Sequence, residues 1–200
     1  MQVKSQTNKP KKVIPVGSYA ARLYSIVDLG TQNETYKGEP ITPRKVRFTF
    51  EFPDVKEEYD GVEKPSVLWF DLTLSFGDKA KLMQILGTWL NKNKEQLQNF
   101  ELKDLIGKTA YIGVMEYTKK DETTGSKVNV NSITPLPKGL KVEEQFNDSQ
   151  FFSIDEFDQA TFDKLPKFLK DKIELSPEYV ALRGWATTSL IDDEDDSLPF

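Results

Sequence analysis

The chain has 200 residues, 38% of them hydrophobic and 30% charged, with a formal net charge of -5, enough for one domain with a real core plus appendages. It contains no cysteine and no histidine, which excludes disulfides, thiolate metal sites and a cysteine nucleophile, and removes the commonest general base and metal ligand. No apolar run approaches the roughly 18 residues a membrane helix needs, and Met1-Gln2-Val3-Lys4 lacks the apolar block of a signal peptide, so a cytoplasmic location with no membrane partner is expected.

Residues 1–12 carry Lys4, Lys9, Lys11 and Lys12 and no acid, and read as a flexible basic arm able to touch phosphates. From Val13 the character changes. Ser18 to Leu29 alternates as a long strand, with Tyr19, Ala21, Leu23, Ser25, Val27 and Leu29 on one face and Ala20, Arg22, Tyr24 and Ile26 on the other. Apolar residues on both faces suit a strand that bends around a small barrel. Gly30 to Pro43, punctuated by Gly38, Pro40 and Pro43, is long for a connection and is expected to be functional.

The second strand has the clearest period of two: Val46, Phe48, Phe50 and Phe52 inward, with Lys45, Arg47, Thr49 and Glu51 on a wet, basic outer face. Pro53 is expected to stop it, and Pro65 to open the third strand beyond an acidic loop. There Leu68, Phe70, Leu72 and Leu74 are buried, while Val67, Trp69, Asp71 and Thr73 face outward. Asp78 reads as a helix N-cap ahead of Leu82, Ile85, Leu86 and Trp89, spaced as one helical stripe. A fourth strand over Lys108–Thr118 turns Ala110, Ile112 and Val114 inward and Tyr111, Met115 and Tyr117 outward. Lys119 to Ser126 reads as a hairpin loop, and Lys127–Ile133 as a fifth strand with Val128 and Val130 inward.

This order is mainly β with a helical annex: a five-stranded OB-fold barrel over 13–140, with a helix between strands 3 and 4. An OB-fold binds its ligand on strands 2 and 3 and on the loops joining strands 1 to 2 and 4 to 5. Single strands need flat apolar platforms for unpaired bases and cations for the phosphates between them. Trp69, Tyr111 and Tyr117 are candidates for the stacking and Lys45, Arg47, Lys119, Lys120 and Lys127 for the charge, joined by Arg22, Tyr24, Tyr36 and Arg44. For each aromatic the competing reading is ordinary packing, and for each lysine a solvated face.

Residues 141–186 read as an annex of two or three short helices. Ser153-Ile154-Asp155-Glu156 has the form of a capping box, Pro166 breaks or starts a helix, Ser176-Pro177 has the form of an N-cap and first turn, and Gly184 is placed to end that helix. Its Phe152, Phe157, Phe162, Leu165, Phe168, Leu169 and Ile173 either pack on the barrel or meet another protein. Residues 1–140 carry 21 Lys and Arg against 17 Asp and Glu, whereas 141–200 carry 6 against 15. A mildly basic body thus precedes a strongly acidic final third, whose charge disfavours DNA contact.

Residues 187–200 read as a disordered acidic tail. Asp192, Asp193, Glu194, Asp195 and Asp196 run without a break, and Ser197 leads to the apolar tip Leu198-Pro199-Phe200. An acidic solubilising tail has no use for a terminal aromatic. This tip resembles the Asp-Asp-Asp-Ile-Pro-Phe terminus of bacterial single-stranded-DNA-binding proteins, with Ser197 in place of an acid and Leu198 in place of isoleucine. The architecture as a whole resembles bacteriophage-encoded proteins of that kind. The resemblance implies coating of single-stranded DNA during phage replication, in the host bacterial cytoplasm, with replication or repair proteins recruited through the tail and no cofactor. Two other readings stand beside it. One is a carboxylate-metal nuclease using Glu57, Glu58, Asp60 and Glu63; the other is a protein-interaction or virion component that binds no nucleic acid.

Overall fold

Phenylalanine at every second position gives the chain its axis. In the computed structural model, which describes residues 13–59, 61–77 and 79–189, strand β1 spans Gly17–Thr31. A small hairpin follows, β2 (Glu34–Tyr36) and β3 (Glu39–Ile41), then the long pair β4 (Arg44–Tyr59) and β5 (Val62–Thr73). Val46, Phe48 and Phe50 pair with Leu72, Phe70 and Leu68, so two apolar stripes coincide on one face. Helix α1 (Lys81–Leu90) closes over that face with Leu82, Ile85, Leu86 and Trp89 buried. The Trp89 ring packs 5.6 Å from Phe50, and its indole N–H donates to the Thr109 carbonyl at 2.8 Å, so its polar edge is satisfied inside the core. Helix α2 (Lys94–Leu97) and a 3-10 turn (Leu102–Leu105) lead to β6 (Thr109–Thr118) and β7 (Thr124–Val128).

The five long strands form one antiparallel sheet in the order β5-β4-β1-β6-β7, curled as a half-barrel, and its end strands β5 and β7 approach without sharing a ladder. Strand β1 joins the two halves. Its one edge pairs with β4 from Arg22 to Thr31; the other pairs with β6 from Gly17 to Arg22, and then with β8 (Gln150–Phe152), in parallel, from Ser25 to Val27.

The single alternation expected for β1 does not hold. The register slips between Leu23 and Ser25, leaving Tyr24 as an extra residue. A bulge of this kind moves every later side chain to the opposite face. Ala21, Leu23 and Ile26 therefore share the main core, while Val27 and Leu29 turn to the back of the sheet. There they meet Phe152, Ile154, Phe162, Leu165, Leu169, Ile173 and Tyr179 in a second core. These residues come from β8 and helices α3 (Gln159–Lys164), α4 (Lys167–Glu174) and α5 (Pro177–Ser189). Most of the annex's apolar residues thus pack on the sheet; Phe168 stays exposed.

Several local expectations are corrected. Pro53 does not end β4, because the strand passes it through a bulge between Phe52 and Lys56, where its missing N–H costs no ladder bond. The acidic stretch is consequently an extension of the β4–β5 hairpin rather than a loop. The fifth strand lies earlier than expected, at 124–128, because Gly125 and Ser126 are needed in the ladder opposite Tyr117 and Glu116. No helix starts at Ser153: Ile154 N–H donates to Asp28 at 3.2 Å, and α3 is capped instead by Asp158, which accepts from Thr161 N–H at 2.7 Å. Gly184 does not stop α5, which continues to Ser189. Asp78 lies outside the described residues, as do the basic arm 1–12 and residues 190–200 of the tail, and α1 begins after Ala80.

Helix α5 is pinned to the end of β1. Thr31 donates to the Glu178 carboxylate through its N–H at 2.9 Å and its hydroxyl at 2.5 Å, while the Ser176 hydroxyl accepts from Tyr179 N–H. Burial pushes the Glu178 pKa up, but the two Thr31 bonds and the Arg44 charge outweigh it and hold the carboxyl below its ordinary value. A depressed carboxylate stabilises the fold above its unfolded pKa, and that contribution disappears as pH falls through the folded one. The wild type is therefore expected to lose thermal stability relative to Glu178→Gln as pH drops below about 4.5; parallel pH profiles for the two proteins would contradict this.

Candidate nucleic-acid interface

The gap between β5 and β7 is a groove of about 500 Å3. Trp69 stands on one wall, 50% exposed, and Tyr117 with Lys119 and Lys127 stand on the other, Tyr117 being 40% exposed. Each is placed by the ladder. Trp69 pairs with Thr49 on the outer face of β5, Tyr117 pairs with Gly125, and Lys127 pairs with Met115. A Cβ at Gly125 would fall 2.8 Å from Tyr117 Cε1 and 2.8 Å from Lys119 Cε. The tyrosine ring thus lies across the glycine, and a side chain at that position would push the ring and the Lys119 stem aside. Lys127 Nζ sits 5.7 Å from the centre of that ring, within cation–π range.

The β6–β7 turn that carries Lys119 and Lys120 is stiffened by Asp121, which accepts from the Thr123 hydroxyl at 2.6 Å and its N–H at 3.1 Å. Those bonds hold the Asp121 carboxyl below its ordinary range. Among the described residues neither Lys119 nor Lys127 has a salt-bridge partner. The groove therefore offers two aromatic faces and two uncommitted cations. Its floor is sealed by Ile14, 1% exposed, whose backbone N–H donates to the Ser126 hydroxyl at 2.7 Å and whose carbonyl accepts from it at 2.9 Å.

The other expected residues are placed differently. The outer face of β4 is not wet: Arg47 is 2% exposed and Glu51 is 0% exposed. Arg47 makes a two-pronged ion pair with Asp71 at 2.6 and 2.8 Å. Lys45 is paired with Glu34 at 2.9 Å. Arg44 bridges Asp28 at 2.5 Å and Asp155 at 2.9 Å, and the Asp28 bond raises its pKa above the ordinary value. Arg22 donates to the carbonyls of Gly107 and Glu143. Tyr24 lies beside residues 147–151 of the C-terminal segment, where burial, then the Glu51 charge, pushes its hydroxyl up. Tyr111 forms a backbone bridge with Thr134 and is half-buried. Tyr36 is exposed on the β2–β3 hairpin with Lys37 Nζ 5.4 Å from its ring, and Lys120 is exposed in the β6–β7 turn.

Of the twelve nucleic-acid candidates, the structure gathers Trp69, Tyr117, Lys119 and Lys127 in this groove. Reading by residue type missed Gly125 and Ile14. The glycine carried a visible signal in its place opposite an outward tyrosine; the isoleucine carried none, since its burial depends on the open seam.

The acidic stretch considered for a metal is a hairpin in which Glu57 pairs with Lys64 and Glu58 with Glu63, and Glu57 accepts from Ser66 Oγ at 2.7 Å. Asp60 lies outside the described residues. No group of three or more His, Cys, Asp or Glu among the described residues is arranged to hold a metal ion, and no described helix is long and apolar enough to cross a membrane. Comparison with family models, curated proteins and solved structures finds no match for this chain.

Proposed function

We propose that this protein binds single-stranded DNA in the β5–β7 groove without strong sequence preference, coating unwound strands during replication, phage replication in particular, and that its acidic tip recruits replication or repair proteins. The observation that carries the reading is the meeting of Trp69, Tyr117, Lys119 and Lys127 around one open groove. Aromatic faces stack on any base and uncommitted cations meet the phosphates between bases, whereas Asp71 and Ser126, polar groups in the groove lining, are already engaged by Arg47 and by the Ile14 backbone. The strand order β5-β4-β1-β6-β7, with α1 between β5 and β6, supports an OB-type barrel whose seam is the ligand side. The tail's part in the proposal rests on the likeness of Asp195-Asp196-Ser197-Leu198-Pro199-Phe200 to bacterial tips.

The test is a titration with single-stranded DNA, duplex DNA and RNA oligomers at two salt concentrations. Tight, salt-sensitive binding of the DNA single strand with quenching of Trp emission is expected. Absent or salt-independent binding would sink the reading. In the same assay, a chain lacking Asp192 to Phe200 is expected to bind DNA at least as well as the full chain while losing its protein partners.

A further inference from the structure

Arg47 is a buried cation beside the groove that the binding reading leaves without a task. Its guanidinium carbon lies 3.6 Å from the centre of the Trp69 ring, which is stacking distance, and 5.6 Å from the ring of Phe168 on α4. Asp71, its direct cross-strand neighbour, grips it through Oδ1 and Oδ2, and Lys172 of α4 stands 3.8 Å from the same carboxylate. At 2% exposure it has no path to a phosphate. Its Nη1 has no hydrogen-bond partner among the described residues, so the plane is set by the Asp71 fork and the two rings rather than by a full set of donors.

We propose that Arg47 is a positioning residue for the Trp69 platform rather than a phosphate ligand. Resting on the single-strand reading of the groove, this assigns the two faces of the indole: one is backed by the guanidinium and the other is left for a base. A planar, charged backing fixes the ring angle and spares the incoming base the entropy of ordering a free indole. The annex takes part, because α4 supplies Phe168 and Lys172 around the fork. A lysine in the same place would keep the charge and lose both the planar stack and the two-pronged grip.

The experiment compares the full-length wild type with Arg47→Lys and Arg47→Met. Oligothymidylate affinity is measured across a salt series, and the indole N–H resonances are followed in the free proteins, with the Trp69 signal assigned by Trp69→Phe. The Trp89 signal, from the main core, reports an intact fold, and the methionine variant stands in should the lysine variant not fold. Both variants are expected to shift or broaden the Trp69 resonance and to weaken binding roughly three- to tenfold, with the salt slope unchanged. Wild-type affinity in Arg47→Lys, or a salt slope lower by about 0.7 in Arg47→Met, would make Arg47 a phosphate ligand and overturn the proposal. Should the wild type bind no oligomer, the groove reading falls. The free-protein spectrum then decides the positioning role alone, and an unmoved Trp69 resonance refutes it.

Discussion

Trp69→Ala is expected to weaken single-strand binding by about 1 to 3 kcal/mol, or roughly 5- to 150-fold, with little change in salt slope. The ring is half exposed on the groove wall, and only one of its faces is taken by Arg47. Removing it deletes a stacking partner without deleting a cation, so the loss appears in affinity and not in counterion release. The folded state also loses the contact with Arg47, and because that cation is buried while the ring is half exposed the contact is worth about 1 to 2 kcal/mol, so thermal stability should fall as well. Fluorescence titration would no longer suit this variant; anisotropy of a labelled oligomer measures it. Binding within twofold of wild type would return Trp69 to a purely structural place beside Arg47. Lys127→Gln is the matching control, since loss of a phosphate contact should lower the slope by about 0.7.

Glu51→Ala is expected to cost about 3 kcal/mol of folding stability, because hydrogen bonds to a charged group contribute roughly 1.5 to 3 kcal/mol each and do not add fully. The carboxylate is 0% exposed and accepts from Phe146 N–H at 3.1 Å and from Asn147 N–H and Nδ2 at 3.0 and 2.8 Å. Those three bonds fasten residues 146–147 to the outer face of β4, ahead of β8. Truncation would leave backbone donors without their acceptor, the expensive half of a broken hydrogen bond. Glu51→Gln keeps the shape and one acceptor oxygen and should lose less. Urea unfolding gives the stability, and hydrogen exchange at the Phe146 and Asn147 amides should lose protection in step with it. A loss under about 1 kcal/mol would mean that packing alone holds this segment on the sheet.

The difference between Trp69 and Glu51 also shows how far the residues could be read in advance. The inward faces of β4, β5 and β6 were legible, because strict alternation of large apolar residues has one solution on a half-buried strand. The α1 stripe was legible for the same reason at helical spacing. The outer face of β4 was not. Lys45, Arg47 and Glu51 look like a solvated row, yet each is held by a partner distant in sequence: Glu34 on a hairpin, Asp71 across the ladder, and 146–147 from the C-terminal segment. Charge alone does not say whether a residue faces water or a counter-charge.

The sequence by itself determined a mainly β chain with one amphipathic helix between two groups of strands, an acidic final third, and the interior apolar residues of β4, β5, β6 and α1, because periodicity and burial follow from local spacing and the hydrophobic effect. Only the tertiary structure decided which polar and aromatic residues share a surface. The slip at Tyr24 sends Val27 and Leu29 to the back of β1 and draws the annex there, which closes one face. The open seam leaves Trp69 across from Tyr117, Lys119 and Lys127. Both outcomes depend on strand register and on contacts between residues some 50 to 150 positions apart, and no local pattern carries those.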